Sequence, residues 1–136
     1  MTVVYLSLGS NLGHRRLTIW RAIRLIESQI GTVVRRSSFH ETKPWGFQSV
    51  HPFINAAVCV ETTMTPRQLL EKTQQIEREL GRKTKSSKGV YHDRPIDIDI
   101  LLYGDSVVDE DDLKIPHPLM YEREFVMLPL QEILEH

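Results

Sequence analysis

Two aspartates set two residues apart raise the first chemical question. In Arg94-Pro95-Ile96-Asp97-Ile98-Asp99-Ile100-Leu101-Leu102-Tyr103 the isoleucines alternate with the carboxylates. A period of two is the pattern of a strand, and it puts the isoleucines on one face and both aspartates on the other. The two carboxylates then sit about 6.6–6.8 Å apart along the chain. They repel each other, and Asp is a poor strand former. A basic neighbour or a divalent cation would neutralise them. An all-oxygen ligand set suits magnesium, which keeps waters and shares its coordination sphere with substrate phosphates. An ordinary strand with its polar face in water accounts for the same alternation without a metal.

Cations lie just upstream. Arg82-Lys83-Thr84-Lys85-Ser86-Ser87-Lys88-Gly89 reads as a basic loop feeding the aspartate strand, with Arg94 at its end. A solvated connection is the bland explanation of such a run. Cations flanking a carboxylate pair ask for a ligand that is both anionic and metal-bound, and a polyphosphate nucleotide meets both conditions. Phe53 and Asn55 share one strand face and offer a platform for a flat polar heterocycle. An Asn that bonds its own backbone at a strand start serves equally well. Trp45 and Phe47 sit in a Pro- and Gly-containing loop, either presented to a ligand or tucked beneath the loop. Pro116-His117-Pro118 pins a histidine in a rigid segment. Gly9-Ser10-Asn11-Leu12-Gly13 resembles a phosphate loop only loosely, because the Gly-Lys-Ser/Thr ending is missing.

The elements that must position these groups follow in order. Thr2–Leu8 reads as a first strand, with Val4, Leu6 and Leu8 toward the core. Ile19, Ile23, Ile26 and Ile30 mark a helix that Gly31 should stop, its exposed face carrying Arg15, Arg16, Arg21 and Arg24. Thr32–Glu41 holds a second strand and Phe53–Thr62 a third. Thr65-Pro66-Arg67-Gln68 starts a second helix, with Thr as N-cap, Pro at N1 and Gln at N3. Leu69, Thr73, Ile76 and Leu80 form its buried stripe, and Gly81 ends it. Glu77, close to that end, opposes the helix dipole and wants a partner, for which Arg78 or Arg82 would suffice. Asp109-Glu110-Asp111-Asp112 reads as a solvated loop. Met120–Leu134 reads as a helix whose Phe125, Leu128 and Ile133 pack on the core. The predicted fold class is α+β: a ferredoxin-like βαββαβ sandwich, one antiparallel sheet with two main helices on one face and a helical C-terminal tail.

The 136 residues fit one domain, 1–136, large enough for a real core. A formal net charge of −1 gives no global argument for nucleic acid, and 40% hydrophobic content is ordinary for a soluble protein. The one cysteine, Cys59, lies in an apolar run and reads as a buried hydrophobe suited to a reducing cytoplasm. No leader or membrane span is legible. Leu134-Glu135-His136 matches the start of a histidine tag and carries no weight.

Taken together, Leu8-Gly9-Ser10-Asn11-Leu12-Gly13, Phe53-Ile54-Asn55-Ala56-Ala57-Val58, Gln74-Gln75-Ile76-Glu77 before Gly81-Arg82, Arg94 through Gly104, and Pro116-His117-Pro118 with Arg123 and Phe125 closely resemble the 6-hydroxymethyl-7,8-dihydropterin pyrophosphokinase family of folate biosynthesis. The resemblance spans nearly the whole chain. It implies transfer of the β,γ-pyrophosphoryl group of MgATP to the pterin hydroxymethyl oxygen, with AMP released. Asp97 and Asp99 would then hold two magnesium ions, with Asp97 also a candidate proton acceptor. Arg82 and Arg94 would stabilise the transferring group. Gln74, Glu77, Arg82, Arg94, Ile98, His117 and Arg123 match positions around ATP. Thr42, Trp45, Phe53, Asn55 and Phe125 match positions around the pterin. The chain departs from the family at Val90-Tyr91-His92-Asp93, where Tyr91 stands in place of a tryptophan, and at Thr84-Lys85, where an arginine is usual. The partners implied are small molecules, with no nucleic acid, membrane or obligate protein partner.

Two other readings use the same features. An RNA-binding ferredoxin-like domain would use the basic loop, but it lacks the aromatic-rich core strand and exposes two aspartates to phosphate. A magnesium-dependent nuclease would use the aspartate pair and leave Trp45, Phe53 and Asn55 incidental.

Overall fold

The computed structural model describes residues 1–42, 52–81 and 95–134, with Thr42 described by its backbone alone. Strands β1 (Thr2–Ser10), β2 (Gly31–Arg36), β3 (His40–Thr42), β4 (Phe53–Thr62) and β5 (Asp97–Tyr103) form one antiparallel sheet. The order is β2-β4-β1-β5, and β3 continues beside β4 where β2 leaves it. Helix α1 (Arg15–Gln29) follows β1, and α2 (Pro66–Glu79) follows β4. A two-stranded hairpin, β6 (Val108–Glu110) with β7 (Leu113–Ile115), leads to a 3₁₀ turn at Met120–Glu122 and to α3 (Glu124–Ile133).

Alternation along the strands builds two cores. Val4, Leu6 and Leu8 of β1, Ile54, Ala56, Val58 and Val60 of β4, and Ile98 and Ile100 of β5 pack with Ile19, Ile23, Ile26, Leu69 and Ile76 from the first two helices. Each fully buried Val, Leu or Ile side chain among them contributes about 1.5–3 kcal/mol. On the reverse face, Tyr5, Ala57, Cys59 and Leu101 meet Met120 and the Val126, Leu130 and Ile133 stripe of α3. So α3 covers part of the face expected to be open, because its own apolar stripe needs a sheet to bury against. The end of that face carrying Phe53, Asn55, Asp97 and Asp99 lies outside this second cluster.

Several boundaries follow the sequence closely. Thr65 and Gln68 form a complete capping box with Pro66 behind it, and α2 ends before Gly81. The third strand runs over Phe53–Thr62 as expected. Cys59 is buried and unbridged.

Others differ. The predicted second strand is two strands, β2 and β3, broken at 37–39, where the Ser37 N–H and hydroxyl bond Ala57 instead. Helix α1 does end just before Gly31, but Gly31 takes no left-handed turn there. Ile30 caps the helix, and Gly31 opens β2 against β4, where a Cβ would fall 2.0 Å from the Glu61 carbonyl oxygen. Arg15 is not on a merely solvated face, since it donates to the Pro52 carbonyl at 2.7 Å and pairs with Glu41. The acidic run is not a solvated loop but the β6–β7 hairpin, its charges met by Arg67 on Glu110 and Asp112 and by Lys114 on Asp109. In the tail, Leu128 is 46% exposed, and Val126 and Leu130 take its expected place in the core.

Candidate active site

The sheet register assembles the site face. Gly9 of β1 lies opposite Asn55 of β4 on one side and Asp97 of β5 on the other. Ser7 lies opposite Asp99, and His40 of β3 lies opposite Asn55. Residues directly opposite in an antiparallel ladder share a face. One row therefore reads His40, Asn55, Gly9, Asp97, and the next carries Ser7 beside Asp99. Asp97 and Asp99 are half-buried while Ile96, Ile98 and Ile100 are buried, the division that the period of two predicts. Phe53 is half-buried beside Asn55, which is 3% exposed. Ser7 and His40 have no place in the sequence pattern of the site, and Gly9 enters it only as part of a glycine-containing loop and a family motif, not as a member of this row. Ser7 was recoverable from the alternation Leu6-Ser7-Leu8, but the other two become visible only through register.

Among the described strands β5 lies at the edge of the sheet, so its outward backbone groups need partners. Glu77, 2% exposed on the last turns of α2, accepts from the Ile98 N–H at 2.7 Å. A backbone donor thus meets this buried carboxylate, whereas Arg78 is exposed. Gln74 sits one turn earlier and is half-buried. Further along the same edge, the His117 N–H donates to the Leu101 carbonyl at 3.1 Å, and the His117 ring Nδ1 accepts from the Leu119 N–H at 3.3 Å. The ring orientation is thereby tied to its own turn. Arg123 precedes α3, and its guanidinium lies 5.8 Å from the centroid of Phe125.

α3 is tied to β3 at its other end. Glu132 contacts His40 Nε2 and accepts from the Ser38 N–H and hydroxyl, each at 2.8 Å. Burial pushes the Glu132 carboxyl upward, but the Ser38 N–H, His40 and the Ser38 hydroxyl outweigh it and hold it below the usual carboxylate range.

The structure thus brings together Asp97, Asp99, Asn55 and Phe53 on one sheet end. Glu77, Ile98 and His117 share one strand edge, and Arg123 meets Phe125 at the head of α3. Thr42 stands opposite Phe53 in β3. Trp45, Arg82, Lys85, Tyr91 and Arg94 lie outside the described residues. Hard oxygen donors on one half-buried face fit magnesium better than softer metals. Among the described residues no cluster of three or more His, Cys, Asp or Glu surrounds them, so any cation there would complete its shell with water or ligand oxygens.

These features define a small α+β protein whose carboxylates and heterocycle-compatible side chains share one end of a sheet face. The model of the family described as 7,8-dihydro-6-hydroxymethylpterin-pyrophosphokinase (HPPK) matches residues 5–135, and the chain belongs to that family. It is 50% identical over 134 residues to the 2-amino-4-hydroxy-6-hydroxymethyldihydropteridine pyrophosphokinase of Porphyromonas gingivalis, covering 98% of this chain and 91% of that one. To the protein of the same name from Bacillus subtilis it is 42% identical, covering 98% and 78%. A crystal structure of a Plasmodium falciparum HPPK-DHPS triple mutant superposes with a TM-score of 0.78 at 16% identity, covering 97% of this chain and 39% of that one. That likeness shows the fold, and this chain spans about two fifths of the longer one.

Proposed function

We propose that this chain transfers the β,γ-pyrophosphoryl group of ATP to the hydroxymethyl oxygen of 6-hydroxymethyl-7,8-dihydropterin in folate biosynthesis, releasing AMP. Family membership supports the reaction, and the observation that carries it here is the row Asn55, Gly9, Asp97 across three strands. That row sets the Asn55 amide and the Asp97 carboxylate on one surface, which suits a heterocycle anchor beside an acidic cation site. Phe53 and Phe125 stack on the two faces of the pterin, Asn55 bonds its edge, and Thr42 and Trp45 complete the pocket. Gln74, Glu77, His117, Arg123 and the Ile98 backbone receive the nucleotide along the outer edge of β5. Asp97 and Asp99 hold two magnesium ions.

Bound magnesium neutralises the phosphate charge and makes the acceptor hydroxyl easier to deprotonate. The protein does the rest by positioning and electrostatics. The hydroxymethyl oxygen forms its bond to the β-phosphorus, and its proton leaves to Asp97. The bond from that phosphorus to the α,β-bridging oxygen breaks, and AMP departs with that oxygen. Arg82 and Arg94 steady the charge on the transferring group.

The sheet order, with α1 and α2 in the connections, supports a ferredoxin-like βαββαβ description. We read residues 1–136 as one domain acting on small molecules in the cytoplasm, without nucleic acid, membrane or an obligate protein partner. No helix among the described residues is long and apolar enough to cross a membrane. The test is AMP release from ATP with and without 6-hydroxymethyl-7,8-dihydropterin. AMP formed only with the pterin and magnesium is the expected result. Cleavage of nucleic acid without AMP would support a nuclease instead.

A further inference from the structure

Gly9 stands at the centre of the site row and has no assigned role. Its backbone is ordinary strand, paired with Asn55 and with Asp97, and its φ lies outside the left-handed region. Conformation therefore does not ask for glycine here. Space does. A Cβ on residue 9 would fall 3.0 Å from Asn55 Oδ1, 3.5 Å from Phe53 Cδ1 and 3.9 Å from Phe53 Cε1. A 3.0 Å contact is tighter than nine in ten real Cβ contacts, so its neighbour must give by a few tenths of an ångström, and that neighbour is the Asn55 amide, a side-chain end 3% exposed with little room to turn.

Strands are about 4.7–4.9 Å apart, so Asn55 and Asp97 flank Gly9 across roughly 9–10 Å. A flat bicyclic heterocycle with a one-carbon arm fits that span, its edge on Asn55 and its oxygen toward Asp97. It must cross β1 at residue 9. We propose, on the pyrophosphoryl-transfer function assigned above, that Gly9 is a specificity-determining positioning residue for the acceptor. Its missing side chain leaves room for the Phe53 ring and keeps the Asn55 amide aimed at the heterocycle. Although Gly9 is the ladder partner of Asp97, the three heavy atoms nearest a Cβ at residue 9 all belong to Asn55 and Phe53, so the crowding falls on the acceptor side.

The experiment is steady-state kinetics of Gly9→Ala with each substrate varied in turn, beside wild type and Asn55→Ala. Gly9→Ala should raise KM for 6-hydroxymethyl-7,8-dihydropterin at least tenfold, with KM for MgATP within twofold. In the Asn55→Ala background the added effect of Gly9→Ala should shrink to less than threefold, because the group it displaces is gone. A pterin KM within twofold of wild type in Gly9→Ala overturns the inference. So does an equal rise for both substrates, which marks a general disturbance of the sheet, and so does an undiminished effect in the Asn55→Ala background. Should Gly9→Ala fail to fold, Gly9→Ser in the Asn55→Ala background, where the crowded amide is absent, must fold and bind MgATP normally; if it does neither, the inference falls. Wild type that releases no AMP with the pterin sinks the assigned function, a result distinguishable from normal wild type with an unaffected variant.

Discussion

At the scale of single residues, the site depends on which groups are charged and which are merely placed. Asp97 is half-buried opposite a glycine, with Asp99 on the same face. Asp97→Asn keeps the shape and removes the charge. Turnover with magnesium should fall about a hundredfold or more. The melting temperature should stay within a few degrees, because the change relieves repulsion and opens no cavity. Calorimetry and AMP release on the same preparation check both halves, and undiminished turnover would take Asp97 out of the site. Glu77 carries a structural load beside its place at the nucleotide edge. Glu77→Ala strips the Ile98 N–H of a buried acceptor, and urea titration should show a loss of about 1–3 kcal/mol. The strand Ile96–Ile100 announced its faces, since a period of two needs no knowledge of neighbours. What faces Asp97 across the ladder was not legible, because register is set by several strands together. Gly9 looked like part of a turn for that reason, and the Ile98 N–H that Glu77 accepts from has no signature in the residues around Glu77.

At the scale of elements, local signals were read where their physics is local. Thr65, Pro66 and Gln68 specify a helix start within four residues, and the capping box forms as written. Thr65→Ala should cost about 1 kcal/mol by urea titration, and should leave AMP release unchanged at temperatures where the protein remains folded. No change in stability would mean that packing of Leu69 and Ile76, rather than the cap, fixes the start of α2. The acidic run at 109–112 was misread because like charges look solvated in one dimension. Arg67 lies more than forty residues upstream of Glu110 and Asp112. It neutralises them only after α2 and the hairpin come together, a tertiary fact with no local signature. The split between β2 and β3 has the same origin: the Ser37 bonds to Ala57 are set by β4, not by the residues around Ser37.

At the scale of the molecule, α3 covers the part of the sheet face next to the site end. It carries Phe125 at one end and Glu132 at the other. The second end is fastened to β3 through Ser38 and His40, on the strand that also places Thr42 opposite Phe53. The Glu132 carboxyl, with an ordinary value of 4.5, is held lower in the folded protein, since Ser38 and His40 outweigh the effect of burial. A depressed folded-state value means that the charged form stabilises the fold fully above the unfolded value, and that this contribution disappears as pH falls through the folded one. Glu132→Gln lacks the charge at every pH. The stability gap between wild type and Glu132→Gln should therefore be open at pH 5 and close steadily as pH falls below about 4.5. Asp109 and Asp112 are also held low, by Lys114 and Arg67, but they are present in both proteins and cancel in the difference. Urea midpoints at pH 5, 4 and 3 measure the gap directly. Parallel curves down to pH 3 would show that the carboxylate is not what fastens α3, and that the apolar stripe of Val126, Leu130 and Ile133 holds the helix across the sheet unaided.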